Sequence, residues 1–231
     1  MNYNAVIFDL FGTLVDDFVS GVGQMNTELA TALGVPFEPF MQLWRETAEM
    51  RSSGAFQTVE ASIEHVCAVM GMHIGTEQMR KAVEIRLHYT RRALEPRPNA
   101  LTTLTQLKTT GYKLGLVSNC SIEIPILWPE TPFGEFFDDA IFSSRASLKK
   151  PDPRIFQLAC RHLGVVPESC VYVADGENHE LAAAAKLGFR SILIRTASVR
   201  RNTKLHQEAD EWQGASIAAL PELPGLLHEE F

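Results

Sequence analysis

The spacing of hydrophobic residues changes along the chain and divides it into three parts. Residues 5–8 are apolar without interruption and stop at Asp9, which predicts a buried strand that ends in a loop. From Asp16 to about Pro96, apolar residues recur at helical spacing. Breaks interrupt this segment at residues 34–36, 52–54 and 71–75. The segment therefore predicts about four amphipathic helices with no strand between them.

After Pro96 the pattern alternates between short apolar strands and amphipathic helices. Predicted strands cover residues 112–117, 139–143, 171–174 and 191–194. Predicted helices run from residue 100 to about 110, over 153–163 and over 181–187, and residues 212–227 are expected to hold one more short strand and helix. Such alternation is typical of a parallel sheet covered by helices. The predicted fold is α/β, with a Rossmann-like, doubly wound parallel sheet as its core.

This fold predicts two domains. Residues 1–15 and 97–231 form the α/β core, and residues 16–96 form an inserted helical domain. Phe40 and Trp44 lie in the apolar stripe of the insertion and are interpreted as packing residues. A chain of 231 residues is long enough to bury its core without disulfides or structural metals.

Composition narrows the function classes. The formal net charge is −7, which disfavours a nucleic-acid partner, and the densest basic cluster is short: Arg190, Arg195, Arg200, Arg201 and Lys204. The four cysteines form no CxxC pair, so a zinc knuckle is disfavoured and a reducing compartment is expected. No apolar run reaches membrane-spanning length. We expect a cytoplasmic protein without a membrane partner, either a monomer or a homodimer.

Charged and polar residues stand at or after the carboxyl ends of four predicted strands: Asp9, Ser118, Lys150 and Asp175. Ligands of open parallel sheets bind at these ends, so we expect the four side chains to converge. A carboxylate there can act as a nucleophile, and Mg²⁺ would relieve the repulsion between Asp9 and Asp175. Lys150 supplies a positive charge, and Ser118 can hold anionic oxygens. The pattern predicts a site for a small phosphorylated substrate.

The same residues lie in a known order of motifs. The chain has DLFGTLVD at 9–16, SN at 118–119, KP at 150–151 and VADGENHELAAAAKLG at 173–188. Together these segments resemble the four motifs of the haloacid-dehalogenase-like hydrolases, and the helical insertion resembles the cap of that family. The resemblance implies Asp9 as covalent nucleophile and metal ligand, and Mg²⁺ as the cofactor.

The resemblance also implies roles for the other motif residues. Thr13 and Ser118 would orient the nucleophile and the substrate, Asn119 would help to bind the substrate, and Lys150 would act beside the nucleophile. The metal would be held by Asp9, Asp175, Glu180 and the backbone carbonyl of Phe11. Glu177 is an alternative to Glu180 as the second acidic metal ligand of the fourth motif.

Phe11 departs from the family's phosphatase pattern, in which an aspartate at this position acts as general acid and base. Phenylalanine can do neither, although its carbonyl still serves a metal. A phosphatase would then need a good leaving group or an acid from elsewhere, for which the candidates are Asp16, Asp17, His65, His88 and His179.

The pattern raises three other functions. Dehalogenases of the family carry an aromatic residue at the position of Phe11 and work without metal, but Asp175 and Glu180 are retained here. A phosphonatase is disfavoured because residues 16–80 contain no lysine. A non-catalytic phosphate binder is disfavoured because it has no evident need for both Asp9 and Asp175. The sequence thus predicts a hydrolase and favours a phosphatase.

Overall fold

A computed structural model describes residues 3–16, 21–195 and 207–228 of the chain. Its centre is a six-stranded sheet in which every neighbouring pair of strands is parallel. The strands are β1 (Ala5–Phe8), β2 (Lys113–Ser118), β3 (Asp139–Phe142), β4 (Cys170–Ala174), β5 (Arg190–Ile194) and β6 (Ser216–Ile217). Their order is β3-β2-β1-β4-β5-β6, so the chain winds outward in both directions from β1.

Side chains alternate across the strands and build two hydrophobic layers, as a period of two requires. The helices after the insertion are α6 (Ala100–Thr109), α7 (Glu123–Leu127), α8 (Ser143–Ala146), α9 (Pro153–Leu163), α10 (Glu180–Lys186), α11 (Gln207–Glu211) and α12 (Glu222–His228). Val6 and Phe8 point to one face with helices α6 and α12, while Ala5 and Ile7 point to the other with α9 and α10. The predicted α/β fold with a doubly wound sheet is confirmed.

The insertion between β1 and α6 contains helices and, within residues 21–93, no strand. Its helices are α1 (Val22–Leu33), α2 (Phe37–Glu46), α3 (Ala48–Ser52), α4 (Val59–Val69) and α5 (Thr76–Ala93). They enclose a core of their own that includes Leu29, Phe40, Trp44 and Ile63. One helix more than expected is present, because the helical segment turns at Thr47 and gives the short α3. The division of the chain at residues 15/16 and 96/97 stays a prediction.

The register of β1 sets the edge at which the site lies. Phe8 pairs with Leu116 of β2 and with Val173 of β4. Asp9 therefore stands at the same level as the ends of both neighbouring strands, which are followed by Asn119 and Asp175. The expected strand and helix near the C-terminus are present as β6 and α12.

Some residues singled out in the sequence lie at other positions than expected or outside the described residues. Lys150 does not directly follow β3, because α8 and a short loop separate them. Arg200, Arg201 and Lys204 of the basic cluster, and Asp17, fall outside the described residues. None of the helices in the described ranges has the length and apolar character needed to cross a membrane.

Candidate active site

Asp9 is the buried centre of the site. Its backbone N–H continues the ladder of β1 by donating to the carbonyl of Val173 at 2.9 Å. The loop after it turns back at Gly12, whose φ of 74° is a conformation that favours glycine. This turn brings the Thr13 hydroxyl to 3.1 Å from Oδ2 of Asp9. The nucleophile expected from the sequence is thus held by a neighbour from its own loop.

Lys150 lies between two carboxylates. Its ammonium group donates a short hydrogen bond to Oδ1 of Asp9 and is 2.5 Å from Oε2 of Glu180. It also donates to the Tyr172 hydroxyl at 3.1 Å, and that hydroxyl donates to Oε2 of Glu180 at 2.7 Å. All four side chains are buried. A single network therefore joins the first, third and fourth motifs.

Tyr172 is a member of this network that the sequence interpretation missed. It lies in the middle of β4, and the sequence pattern predicts it only as part of an apolar strand. The one signal was a tyrosine among aliphatic residues, since a buried phenol needs a hydrogen-bond partner.

Three carboxylates meet beside this network. Oxygen atoms of Asp9, Asp175 and Glu180 all lie within 4.8 Å of one another, and all three residues are buried. Glu177 is not in this group; its backbone N–H donates to Asp175 and Glu180, at 3.2 Å in each case. The three carboxylates carry more negative charge than Lys150 alone can balance. Buried oxygen ligands of this kind suit a hard divalent cation such as Mg²⁺.

Burial and neighbouring charges shift the pKa values of Asp9, Glu180 and Lys150. Burial, reinforced by the nearby Asp175, raises the pKa of Asp9, although Lys150 opposes the shift. Burial likewise raises the pKa of Glu180, to about 8. For Lys150, burial favours the neutral form, but the charges of Asp9 and Glu180 outweigh it and raise the pKa. The lysine therefore stays charged, while the carboxylates would gain from a further cation.

The residues of the second motif lie at the end of β2. Ser118 is fully buried there. Asn119 uses its side-chain amide to fix the Lys150 backbone, accepting from its N–H at 2.8 Å and donating to its carbonyl at 2.9 Å. Thus Asn119, expected to contact the substrate, also positions the loop that carries the lysine.

A cavity of about 480 Å³ opens between the sheet edge and the helical insertion. Phe11, Asn119 and Cys120 line it on one side. The insertion contributes Val22, Met25, Asn26, Met41, Trp44, Arg45, Ala48, Arg51, Ser52, Arg86 and Thr90. The Trp44 ring packs in the helical core, as expected, and also forms part of the cavity wall. The volume suits a small organic molecule.

The alternative acids that lie in the described residues, Asp16, His65, His88 and His179, do not line this cavity. Asp16 is largely exposed and pairs with Arg97 at 2.8 Å. His65 packs against Phe56, while His88 and His179 are exposed. Among the described residues, no Asp, Glu or His belongs to the cavity wall. Phe11 thus occupies the wall without an acidic neighbour there.

Comparisons with known proteins agree with this architecture. A family model described as haloacid dehalogenase-like hydrolase matches residues 3–188. The chain is 28% identical over 200 residues to (S)-2-haloacid dehalogenase 4A of Burkholderia cepacia, covering 82% of each protein. It is 27% identical over 228 residues to glyceraldehyde 3-phosphate phosphatase of Methanothermobacter thermautotrophicus, covering 96% of this chain and 97% of the relative.

A solved structure shares the fold. The crystal structure of 2-haloacid dehalogenase from Pseudomonas syringae superposes with a TM-score of 0.73 at 24% identity, and the match covers 99% of both chains.

Proposed function

The chain belongs to the haloacid dehalogenase-like hydrolases, and we propose that it is a Mg²⁺-dependent phosphatase of small phosphorylated metabolites. The observation that carries the proposal is the group of three buried carboxylates, Asp9, Asp175 and Glu180, within 4.8 Å of one another. Such a group is costly to bury without a cation, and Lys150 balances only part of its charge. A relative that is named a phosphatase lends further support.

In the proposed reaction, a carboxylate oxygen of Asp9 attacks the phosphorus atom. The bond from phosphorus to the leaving oxygen breaks, and the leaving group departs with the electron pair. Water then attacks the phosphoryl group on Asp9, releases inorganic phosphate with loss of one proton, and restores the carboxylate. Thr13 and Lys150 hold Asp9 in place for attack.

The other side chains would orient the phosphoryl group. Ser118 and the charge of Lys150 would hold its oxygens, and Asp9, Asp175, Glu180 and the Phe11 carbonyl would hold Mg²⁺. When bound, Mg²⁺ would neutralise negative charge on the phosphoryl oxygens. The helical insertion, residues 16–96, would act as a cap that excludes water from the cavity.

Phe11 sets the expected substrate range. No side chain there can protonate the leaving oxygen. Leaving groups that are stable as anions, such as acyl, aryl or phosphoanhydride oxygens, need little protonation. We therefore expect activated phosphates to be hydrolysed faster than simple alkyl esters.

A second candidate is a metal-independent 2-haloacid dehalogenase. The contacts of Lys150 favour it, since one ammonium group pairs with both Asp9 and Glu180 and so reduces the need for a metal. Asp9 would then attack the halogen-bearing carbon and expel halide, which needs no proton, so Phe11 would cost nothing. A relative named a haloacid dehalogenase gives this candidate support.

One experiment separates the two candidates. Purified protein is assayed for hydrolysis of p-nitrophenyl phosphate and acetyl phosphate, with Mg²⁺ or with EDTA, and for halide release from 2-chloropropionate. Phosphate release that requires Mg²⁺ supports the phosphatase. Halide release that is unchanged in EDTA would replace it by the dehalogenase, and silence in all assays would contradict both.

A further inference from the structure

The cavity beside Phe11 is positively charged at the end formed by the helical insertion. Arg45, Arg51 and Arg86 line it. None of the described residues of its wall is acidic. Arg86 is neutralised by the buried carboxylate of Glu123 at 2.5 Å, and Arg45 is exposed. Arg51 therefore dominates the charge that a ligand would meet inside the cavity.

Arg51 has no carboxylate partner among the residues that the structure describes. Within the described ranges, no Asp or Glu oxygen lies within 4.0 Å of its guanidinium. Burial, together with the nearby charge of Arg86, lowers its pKa to about 10, although Glu123 opposes the shift. A half-buried guanidinium in this setting would be stabilised by an anion from outside the chain.

The donors of Arg51 are arranged so that some remain available. Nη1 donates to the carbonyl of Trp44 at 2.6 Å and to the Thr47 hydroxyl at 2.7 Å, which fixes the side chain at the end of α2. The guanidinium carbon lies 4.0 Å from the centroid of the Trp44 ring. Nε and Nη2 make no hydrogen bond with any described residue. These two donors form the edge of the guanidinium that matches the two oxygens of a carboxylate.

The wall of the same cavity holds a second polar group without a partner among the described residues. Thr90 on α5 lines the cavity, and its side chain is buried. Among the described residues, its hydroxyl has no hydrogen-bond partner. Buried polar groups are nearly always paired, so an orphaned hydroxyl on a cavity wall indicates a place for a ligand atom.

We propose that Arg51, with Thr90, binds a carboxylate on the organic part of the substrate, in the part of the cavity that the helical insertion forms. This inference rests on the proposed function and deepens it: the substrate would be an activated phosphate whose leaving group carries a carboxylate. Arg51 would determine specificity, and it would not touch the reacting atoms.

Binding of the leaving group alone tests the inference without any turnover. The probes are 4-hydroxybenzoate and its neutral counterpart of the same shape, 4-hydroxybenzamide, with dissociation constants measured by NMR titration. The unchanged protein should bind the carboxylate about 10-fold to 100-fold more tightly, since hydrogen bonds to charged groups contribute that much. Arg51→Gln should bring the ratio close to one, and Arg51→Lys should keep part of it.

The control is Arg80→Gln, which removes an exposed arginine of α5 outside this cavity and should leave the ratio unchanged. A ratio near one in the unchanged protein would overturn the inference. So would an equal loss of both ligands in Arg51→Gln, because that result is expected if Arg51 only supports α2.

Kinetics with the matching esters separates this inference from the proposed function. The esters are 4-carboxyphenyl phosphate and 4-carbamoylphenyl phosphate. If both inferences hold, Arg51→Gln lowers kcat/KM about 10-fold to 100-fold for the first ester and far less for the second. Carboxylate-selective binding without hydrolysis of either ester would contradict the phosphatase and leave the Arg51 site supported.

Discussion

Arg86 on α5 and Glu123 on α7 form an ion pair with an N–O distance of 2.5 Å, and both side chains are buried. The pair joins the helical insertion to the sheet-bearing part of the chain. Removing one partner of a buried pair leaves the other charge uncompensated. We expect Glu123→Gln to lower the free energy of unfolding by about 3–5 kcal/mol, measured by urea denaturation.

An exposed pair between the same two parts of the chain gives the control. Arg91 on α5 and Glu130 lie 2.8 Å apart, with more than half of each side chain exposed. Glu130→Gln should therefore change the unfolding free energy by less than about 1 kcal/mol. If the two variants lost the same free energy of unfolding, burial would not be the reason that the Arg86–Glu123 pair stabilises the fold.

The same pair should contribute to acid sensitivity. Burial alone would raise the pKa of Glu123, but Arg86 outweighs it and holds the pKa below its ordinary value of 4.5. A carboxylate with a lowered folded pKa stabilises the fold above its unfolded pKa and loses that contribution as the pH falls. The stability gap between the unchanged protein and Glu123→Gln should therefore shrink below about pH 4.5. A gap that stays constant down to pH 3 would contradict this assignment.

Replacement of Asp9 tests the nucleophile. Asp9→Asn should lower kcat at least about a thousandfold, because the amide cannot form the covalent intermediate. The fold should survive, since the buried carboxylate has a raised pKa and is unfavourable when charged. Thermal unfolding should show a Tm no lower than that of the exposed control Glu60→Gln. Activity within tenfold of the unchanged protein would exclude Asp9 as nucleophile.

Metal binding should appear in stability as well as in activity. A ligand at 100 times its dissociation constant stabilises a folded protein by about 2.7 kcal/mol, so Mg²⁺ should raise the Tm and EDTA should reverse the change. Glu180→Gln should reduce this Mg²⁺-dependent shift, because Glu180 is one of the three clustered carboxylates. Glu177→Gln should keep it. The opposite result would identify Glu177, in place of Glu180, as the metal ligand. If Mg²⁺ did not raise the Tm of the unchanged protein or of either variant, the metal-independent dehalogenase would be favoured.

The fold was accessible from the sequence because periodicity reports burial directly. The predicted helix over residues 153–163 coincides with α9, and the predicted strands lie within one residue of the observed ends. Strand ends in turn placed Asp9 and Asp175 at one edge of the sheet. Local spacing was sufficient for this step, since it determines which face of each element is apolar.

Contacts between distant segments were not accessible. Arg86 and Glu123 are 37 residues apart, and Tyr172 meets Lys150 across the sheet edge. Periodicity in the sequence does not show that these side chains are in contact. The contacts form because α5 packs against α7 and because the 149–151 loop packs against β4. The contact of the Asn119 amide with the backbone of Lys150 also joins distant segments, so the sequence did not predict it.

Phe11→Asp tests whether the missing acid limits the substrate range. Phe11 lies in the cavity wall two residues after Asp9, where a carboxyl group could reach a leaving oxygen. General acids contribute about 10²-fold to 10⁴-fold, so kcat/KM for an alkyl phosphate should rise at least tenfold relative to p-nitrophenyl phosphate. Measured over a series of phosphate esters, the dependence of rate on leaving-group acidity should become shallower.

Phe11→Asn is the matched control, because it makes the same change in size without supplying a proton. It should leave the dependence on leaving-group acidity as steep as in the unchanged protein. If Phe11→Asp and Phe11→Asn behave alike, the leaving group is protonated by another residue or needs no proton. Halide release offers the complementary measurement: a dehalogenase expels its leaving group without a proton, so neither substitution would change the relative rates of chloride and bromide loss.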